Sequence, residues 1–265
     1  MKVRAIALNT FASLVRDKLL IVFCAVFLCV LLLMVGSLTM MKTASQSNPD
    51  IFQSTELPLI GGIMSMVSGL GSLLAAWAAA DSIWGEMKSG TILAVMARPV
   101  RRWEFLLGKY LGVQMLMAVY ALFLFGMSYL LAWIGGGRIQ STPWVLIVYP
   151  LVRYAIYSAM SMLLVTVLHP VVSFGIVMVV SVLASMFGPA NGRAFLPGGL
   201  RAAVYALLPS TDLLSETRFL TITEARLKQI PWTNHAVALA YGLDYALVLF
   251  LLTVWSFRRR SLARN

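Results

Sequence analysis

Charged residues are scarce in this chain, and acidic residues are the scarcest of them. The 265 residues include 10 Asp and Glu against 21 Lys and Arg, and charged residues make up 12% of the sequence. Soluble domains carry about 25% charged residues, so a soluble enzyme is disfavoured. Apolar residues make up 60% of the chain and the mean hydropathy is +0.86. Because the apolar residues also form runs long enough to cross a bilayer, the composition predicts an all-α, polytopic membrane protein.

Cysteine and histidine are also rare, with two of each. Cys24 and Cys29 lie in the same apolar run, so their spacing predicts neither a disulfide framework nor a metal site. His169 and His235 are assigned to opposite membrane faces, and the chain has no His-Glu-x-x-His motif and no Gly-x-Ser-x-Gly elbow. These absences argue against catalysis and metal binding by this chain, and they leave an intramembrane enzyme as the weaker alternative.

Six apolar runs are near the length that a transmembrane helix requires. They occupy residues 19–40, 57–84, 109–133, 144–168, 171–187 and 236–255. His169 and Pro170 alone separate the fourth and fifth runs, and proline disfavours helix at the residue before it, which predicts a tight reversal there. The chain is therefore expected to form one transmembrane domain over residues 1–265, with six spans.

Residues 1–18 precede the first span and alternate apolar and polar side chains with a helical period. The apolar positions are Val3, Ile6, Ala7, Thr10, Phe11 and Leu14. This spacing predicts an amphipathic helix at the membrane interface, in contact with lipid. A solvated tail is the alternative.

The distribution of basic residues predicts that both termini are cytoplasmic. In that orientation the inner segments hold thirteen Lys and Arg and the outer loops hold seven, as the positive-inside rule requires. The basic residues flank the spans on both sides instead of forming one patch, so nucleic-acid binding is not expected. The longest outer loop, residues 188–235, either gates an exit path or caps the bundle.

Two charges and one stripe of small residues lie within the predicted spans. Arg153 and Asp244 lie at matching depth, and intramembrane charges normally pair, so we predict an ion pair between the fourth and sixth spans. The second span carries small residues on one face, which predicts either close helix packing within the chain or a dimer seam or the wall of a pathway. This stripe consists of Gly62, Ser65, Gly69, Ser72, Ala76 and Ala79.

The inner segment at residues 85–105 is the most informative part of the chain. A short apolar turn at residues 92–96 lies between Glu86 and a basic corner that contains Arg98, Arg101 and Arg102. This pattern suits a short surface helix that is presented to a partner. The Gly-x-x-x-x-Gly spacing that begins at Gly85 is not a phosphate loop, because Thr91 stands where lysine is required and no strand precedes it.

Residues 86–109 resemble the signature of type-2 ATP-binding-cassette (ABC) transporter permeases. The matching features are Glu86, the Gly90-Thr91 pair, the apolar turn, Arg98-Pro99 and the Gly-Lys pair that ends at Lys109. The six predicted spans and the N-terminal helix extend the similarity over the chain. A secondary transporter is the main alternative, although no internal repeat is visible.

The resemblance implies a plasma-membrane exporter subunit, as in a bacterial inner membrane, with no cofactor of its own. Two permeases, identical or similar, would act with separate cytoplasmic ATPase subunits that bind ATP and Mg. Residues 85–105 would form the coupling helix, and Lys109 would fix the base of the third span. The residues implied to contact or shape the coupling site are Glu86, Gly90, Thr91, Arg98, Pro99, Arg101 and Arg102. The substrate stays open among carbohydrate, lipid, peptide, drug and ion-linked roles.

Overall fold

The structure is a computed structural model of the full chain. It describes residues 2–18, 21–23, 25–26, 29–30, 32–33, 36, 40, 49–88, 101–135, 145–186, 208–214 and 232–259. The described part contains α-helices and one short 3-10 helix and no strand, which confirms the predicted all-α class. The helices are α1 (Lys2–Val15), α2 (Pro49–Lys88), α3 (Arg102–Gly135), α4 (Val145–Val165), α5 (Pro170–Met186), the 3-10 helix Thr211–Leu214 and α6 (Trp232–Arg259).

Four stretches of these helices are long and apolar enough to cross a membrane. They are Ser65–Lys88, Arg102–Phe123, Ile147–Val165 and Trp232–Arg259, and Pro170–Ala184 is a shorter apolar helix. These five stretches correspond to the second to sixth predicted spans. The described residues of the first predicted span are helical as well. A polytopic membrane protein is thus supported, while the number of six spans remains a prediction.

α4 lies at the centre of the described bundle and packs against α2, α3, α5 and α6. Tyr154, Ile156 and Ser158 of α4 are completely buried. α2 meets this core mainly with alanines, and Ala75, Ala76, Ala79 and Ala80 are also completely buried. Small residues allow helix backbones to approach closely, and close packing replaces the hydrophobic effect as the force that joins helices in lipid.

Hydrogen bonds between helices reinforce this packing. Hydroxyl and amide donors on one helix reach acceptors on the next, which satisfies polar groups inside an apolar bundle. The bonds run from Ser161 Oγ to the Ala76 carbonyl (2.6 Å), from Tyr120 Oη to the Val67 carbonyl (2.9 Å), from Tyr110 Oη to the Ala155 carbonyl (3.1 Å) and from Gln114 Nε2 to Ser158 Oγ (2.7 Å). They fix the relative register of α2, α3 and α4.

The predicted reversal between the fourth and fifth spans is confirmed. α4 ends at Val165 and α5 begins at Pro170, whose missing N–H suits the first position of a helix. The His169 carbonyl accepts the Ser173 N–H at 2.9 Å and the Ser173 hydroxyl at 3.2 Å. Residues 166–169 therefore make the whole connection.

Part of the long loop at residues 188–235, which was predicted to lie outside, is anchored between α4 and α6. Leu214, in the 3-10 helix, is completely buried and belongs to an apolar cluster that includes Val152 of α4 and Ala246 of α6. The Ser210 N–H donates to Tyr241 Oη of α6 at 3.0 Å. Within the described residues, this part of the loop therefore caps the groove between the two helices.

Candidate coupling site at the start of α3

The predicted coupling segment, residues 85–105, is described only at its two ends. Four of its predicted site residues lie outside the described residues: Gly90, Thr91, Arg98 and Pro99. Glu86 lies in the last turn of α2, and Arg101 and Arg102 lie at the start of α3. The described part of this region therefore centres on residues 102–112 of α3 and their contacts. We call these residues the α3 junction.

An ion pair joins the α3 junction to α2. Lys109 Nζ contacts Glu86 Oε1, and the two side chains are 5% and 23% exposed. The Lys109 ammonium also lies 5.8 Å from the centroid of the Phe105 ring. Since a buried charge without a partner is costly, the pair holds the end of α2 against the start of α3.

A local cap fixes where α3 begins. The Arg101 N–H donates to Glu104 Oε2 at 2.9 Å, and the Arg101 carbonyl accepts the Phe105 N–H at 3.2 Å. This is the geometry in which an acidic residue three positions into a helix satisfies the backbone N–H of the capping residue. α3 therefore begins at Arg102, several residues before the apolar run that predicted its start at residue 109.

Arg102 contacts the last helix of the chain. Its Nη1 donates to the carbonyls of Phe257 and Arg258, each at 3.1 Å. Phe105 stacks on Phe257 with a centroid distance of 6.3 Å and an interplanar angle of 22°, and Phe257 is completely buried. The resemblance placed Arg102 among residues of the ATPase-coupling site, whereas these contacts of its guanidinium are made within the chain, to α6.

α1 packs on the other side of the α3 junction. A Cβ added to Gly108 would lie 2.7 Å from Ile6 Cβ, and one added to Gly112 would lie 2.7 Å from the Ala7 carbonyl oxygen. The buried residues of α1 are Ala7, Thr10 and Leu14, which belong to the apolar face predicted from the sequence. That face therefore packs against α3 within the described structure.

The Gly108 and Gly112 pair was not predicted, although the sequence carries a signal for it. Two glycines four positions apart in an apolar helix form the small-xxx-small pattern that permits close backbone contact. The α3 junction therefore contacts three other helices. The glycine pair contacts α1, Lys109 contacts α2 and Arg102 contacts α6.

The predicted ion pair between Arg153 and Asp244 is not formed in the structure, which describes both residues and records no salt bridge between them. The buried face of α6 includes Gly242 and Ala246. Asp244 lies two positions from each of them, about 200° around the helix, and is exposed. Arg153 is half-buried on α4. Matching depth in the sequence thus did not place the two side chains on facing helix surfaces.

Among its described members, the stripe of small residues on α2 is packed in its second half. Ser72, Ala76 and Ala79 are buried, whereas Ser65 is exposed and Gly69 has no atom within 4 Å of an added Cβ. Gly62 lies on α2 and its surroundings are outside the described residues. The close approach falls instead at Gly71, where a Cβ would lie 2.5 Å from Tyr154 Oη. Helix packing accounts for the buried half of the stripe.

The two histidines lie in separate places in the fold. His235 Nδ1 and Tyr149 Oη form a hydrogen bond of 2.7 Å between α6 and α4. His169 is exposed and packs edge-on against Trp84 with a centroid distance of 4.8 Å. Among the described residues, no group of three or more His, Cys, Asp or Glu side chains is arranged to hold a metal ion.

Comparison with known families gives one match that covers nearly the whole chain. The model of a family described as "ABC-2 family transporter protein" matches residues 4–262. This range includes all six predicted spans and the whole α3 junction. A comparison with curated proteins found no match.

Proposed function

Because the chain belongs to the ABC-2 family of transporter proteins, we propose that it is the membrane-spanning permease subunit of an ATP-driven exporter. The observation that best supports this role is the α3 junction. It ties both ends of residues 89–100 to the bundle, through the Glu86–Lys109 pair on one side and through Arg102 on the other. A surface element with such connections is suited to transmit movement to the spans.

The proposed complex contains two permease copies, identical or similar, and separate cytoplasmic ATPase subunits that bind ATP and Mg. The permease has six spans with both termini in the cytoplasm of a plasma membrane, such as a bacterial inner membrane. Residues 85–105 form the coupling segment, which contacts the ATPase through Arg98 and Arg101 and is shaped by Gly90, Thr91 and Pro99. The excess of basic residues in the inner segments supports this orientation.

Transport in this proposal is a shift of population between two arrangements of the spans. Nucleotide binding closes the ATPase subunits and favours one arrangement, and hydrolysis restores the other. The permease must bind its substrate with different affinities in the two states, because a ligand that binds both equally shifts nothing.

The first test is purification of the tagged, full-length chain from its native membrane in mild detergent, followed by identification of bound proteins and an ATPase assay. Wild type is compared with the double variant Glu86→Ala/Arg98→Ala. Asp244→Asn serves as the control, since it removes a charge from the exposed face of α6, away from the α3 junction.

A cassette ATPase that co-purifies with wild type and with Asp244→Asn, but is lost or uncoupled in a double variant that is itself recovered folded at the wild-type level, supports the proposal. If no ATPase co-purifies with any of the three proteins, the proposed function as an ATP-driven permease is wrong. A secondary transporter then becomes the leading hypothesis, because it requires no hydrolytic partner. If the ATPase co-purifies equally with all three, the placement of the coupling site is wrong.

A further inference from the structure

Arg102 lies beside the last described turn of α6 (Trp232–Arg259). The final carbonyls of an α-helix have no partner within the helix and carry the negative end of its dipole. Arg102 Nη1 donates to two carbonyls in the last turns of α6, those of Phe257 and Arg258, at 3.1 Å each. One guanidinium on α3 therefore holds the C-terminal end of α6.

Aromatic contacts continue the same connection along the two helices. Phe105 stacks on the completely buried Phe257. Farther into the bundle, Tyr110 packs against Phe250 with a centroid distance of 5.3 Å. α6 otherwise packs mainly against α4. Its direct connection to α3 is thus concentrated at the cytoplasmic end, immediately after the coupling segment.

We propose that Arg102 is a positioning residue that makes the cytoplasmic end of α6 move together with the coupling segment. This inference rests on the proposed function, because it requires an ATPase that displaces residues 89–100. When the start of α3 moves, the guanidinium draws the last turn of α6 with it. Arg102 thus acts through α6 and does not need to touch the ATPase.

Arginine suits this role better than lysine does. The guanidinium stays charged at any working pH and presents several donors in a rigid plane, so it can keep contact with two carbonyls at once. A lysine at the same position would keep the charge but offer a single, more flexible donor group. Arg102→Lys is therefore expected to retain part of the connection.

The test measures the distance between α3 and α6 inside one chain of the assembled complex. Spin labels are placed at Leu111→Cys and Leu252→Cys, since both side chains are exposed, at 40% and 43%. Cys24 and Cys29 are replaced by alanine, and labelled chains are diluted with unlabelled ones. The distance is measured without nucleotide and after trapping with ATP and vanadate, in the Arg102, Arg102→Ala and Arg102→Lys forms.

With Arg102 present, we expect the distance to change by no more than about 2 Å between the two states, the size of small helix shifts at packed interfaces. In Arg102→Ala we expect a larger shift and a broader distribution, and in Arg102→Lys an intermediate result. A distance that responds to nucleotide equally in all three forms overturns the proposal. If Arg102→Ala cannot be recovered from membranes, the comparison of Arg102→Lys with wild type decides by the same criterion.

Co-purification separates this inference from the proposed function. Arg102→Ala is expected to retain the ATPase as wild type does, because its described contacts lie within the chain. Arg258→Ala is the matched control: it removes a neighbouring positive charge but keeps the backbone carbonyl that accepts the Arg102 bond. Loss of the ATPase in Arg102→Ala alone would show that Arg102 is an ATPase contact and would overturn the inference. Absence of any ATPase with wild type would refute the proposed function instead.

Discussion

Lys109 of α3 and Glu86 of α2 form an ion pair. The pair joins the two helices that flank residues 89–100. The Lys109 side chain is 5% exposed, so its charge depends on nearby carboxylates for compensation. Glu86 contacts it directly, and the Asp81 carboxylate also lies close enough to attract it. Lysine has no acceptor capacity and carries a compact charge, which makes desolvation without a partner expensive. The pair therefore both stabilises the bundle and sets the separation of two helix ends.

Removing either partner should destabilise the chain strongly. We expect Glu86→Ala or Lys109→Ala to lower the free energy of unfolding by about 3 kcal/mol, the lower end of values for broken buried pairs, because Glu86 retains some contact with solvent. The double variant Glu86→Leu/Lys109→Met should recover much of this loss, since apolar residues of similar size often replace buried pairs well. Thermal unfolding of the purified protein in detergent measures both effects.

Lys88→Ala is the control for this prediction, because Lys88 is exposed in the same last turn of α2. Surface substitutions usually change stability by less than about 0.5 kcal/mol. Equal effects of Lys88→Ala and Lys109→Ala would mean that the ion pair has no special role in stability.

The contact of α1 with α3 predicts opposite effects for two glycine-to-alanine substitutions in α3. Gly112→Ala would place a Cβ 2.7 Å from the Ala7 carbonyl oxygen, and overpacking of this kind typically costs about 1–3 kcal/mol. Gly126→Ala meets no atom within 4 Å and should be neutral or stabilise α3 by up to about 1 kcal/mol through helix propensity. The melting temperatures of the two variants, compared with wild type, show whether each substitution destabilises or stabilises the protein.

Limited proteolysis gives an independent measure of the same contact. A protease that cleaves after basic residues should cut at Arg4 or Arg16 faster in Gly112→Ala than in wild type, because α1 would detach from α3. Gly126→Ala should be cut at the wild-type rate. Equal cleavage in all three proteins would contradict the docking of α1 on this glycine.

Much of the secondary structure was predictable because bilayer-spanning helices have a strong local signal. The apolar runs located α2 to α6, the His169-Pro170 pair located the reversal, and the spacing in residues 1–18 identified the face of α1 that is buried. Helix ends were less predictable. α3 begins before its apolar run because Glu104 caps the Arg101 N–H, and an apolar run carries no information about such a cap.

Contacts between distant helices were not predictable from one sequence. Nothing local links Arg102 to Phe257, since the partner is a backbone carbonyl that any residue would supply. Asp244 and Arg153 show a second difficulty. Their equal depth in the membrane gave no information about the rotation of α6 and α4 about their axes. The resemblance predicted a coupling segment from local motifs, but it could not show that Arg102 contacts α6.

The position of Asp244 predicts that its energetic effect is independent of Arg153. Residues that share no contact usually show additive effects within about 0.3–0.5 kcal/mol, so Arg153→Ala and Asp244→Ala should add in the double variant. The charge-reversed pair Arg153→Asp/Asp244→Arg should gain nothing over the sum of its single variants. A coupling energy well above this range, measured by unfolding in detergent, would show that the two side chains interact after all.

Gly242 lets α6 approach α4 next to Leu214, in the anchored part of the 188–235 loop. A Cβ at this position would overlap Val152 Cγ1 and lie 3.1 Å from Leu214 Cδ1. We expect Gly242→Ala to cost about 1–3 kcal/mol and to be rescued in part by Val152→Ala, which removes the overlapping methyl group. Gly175→Ala, on α5 with no atom within 4 Å of the added Cβ, is the matched control. Additive losses in Gly242→Ala/Val152→Ala would contradict this contact, whereas a double variant more stable than Gly242→Ala would place α6 against α4 at Val152.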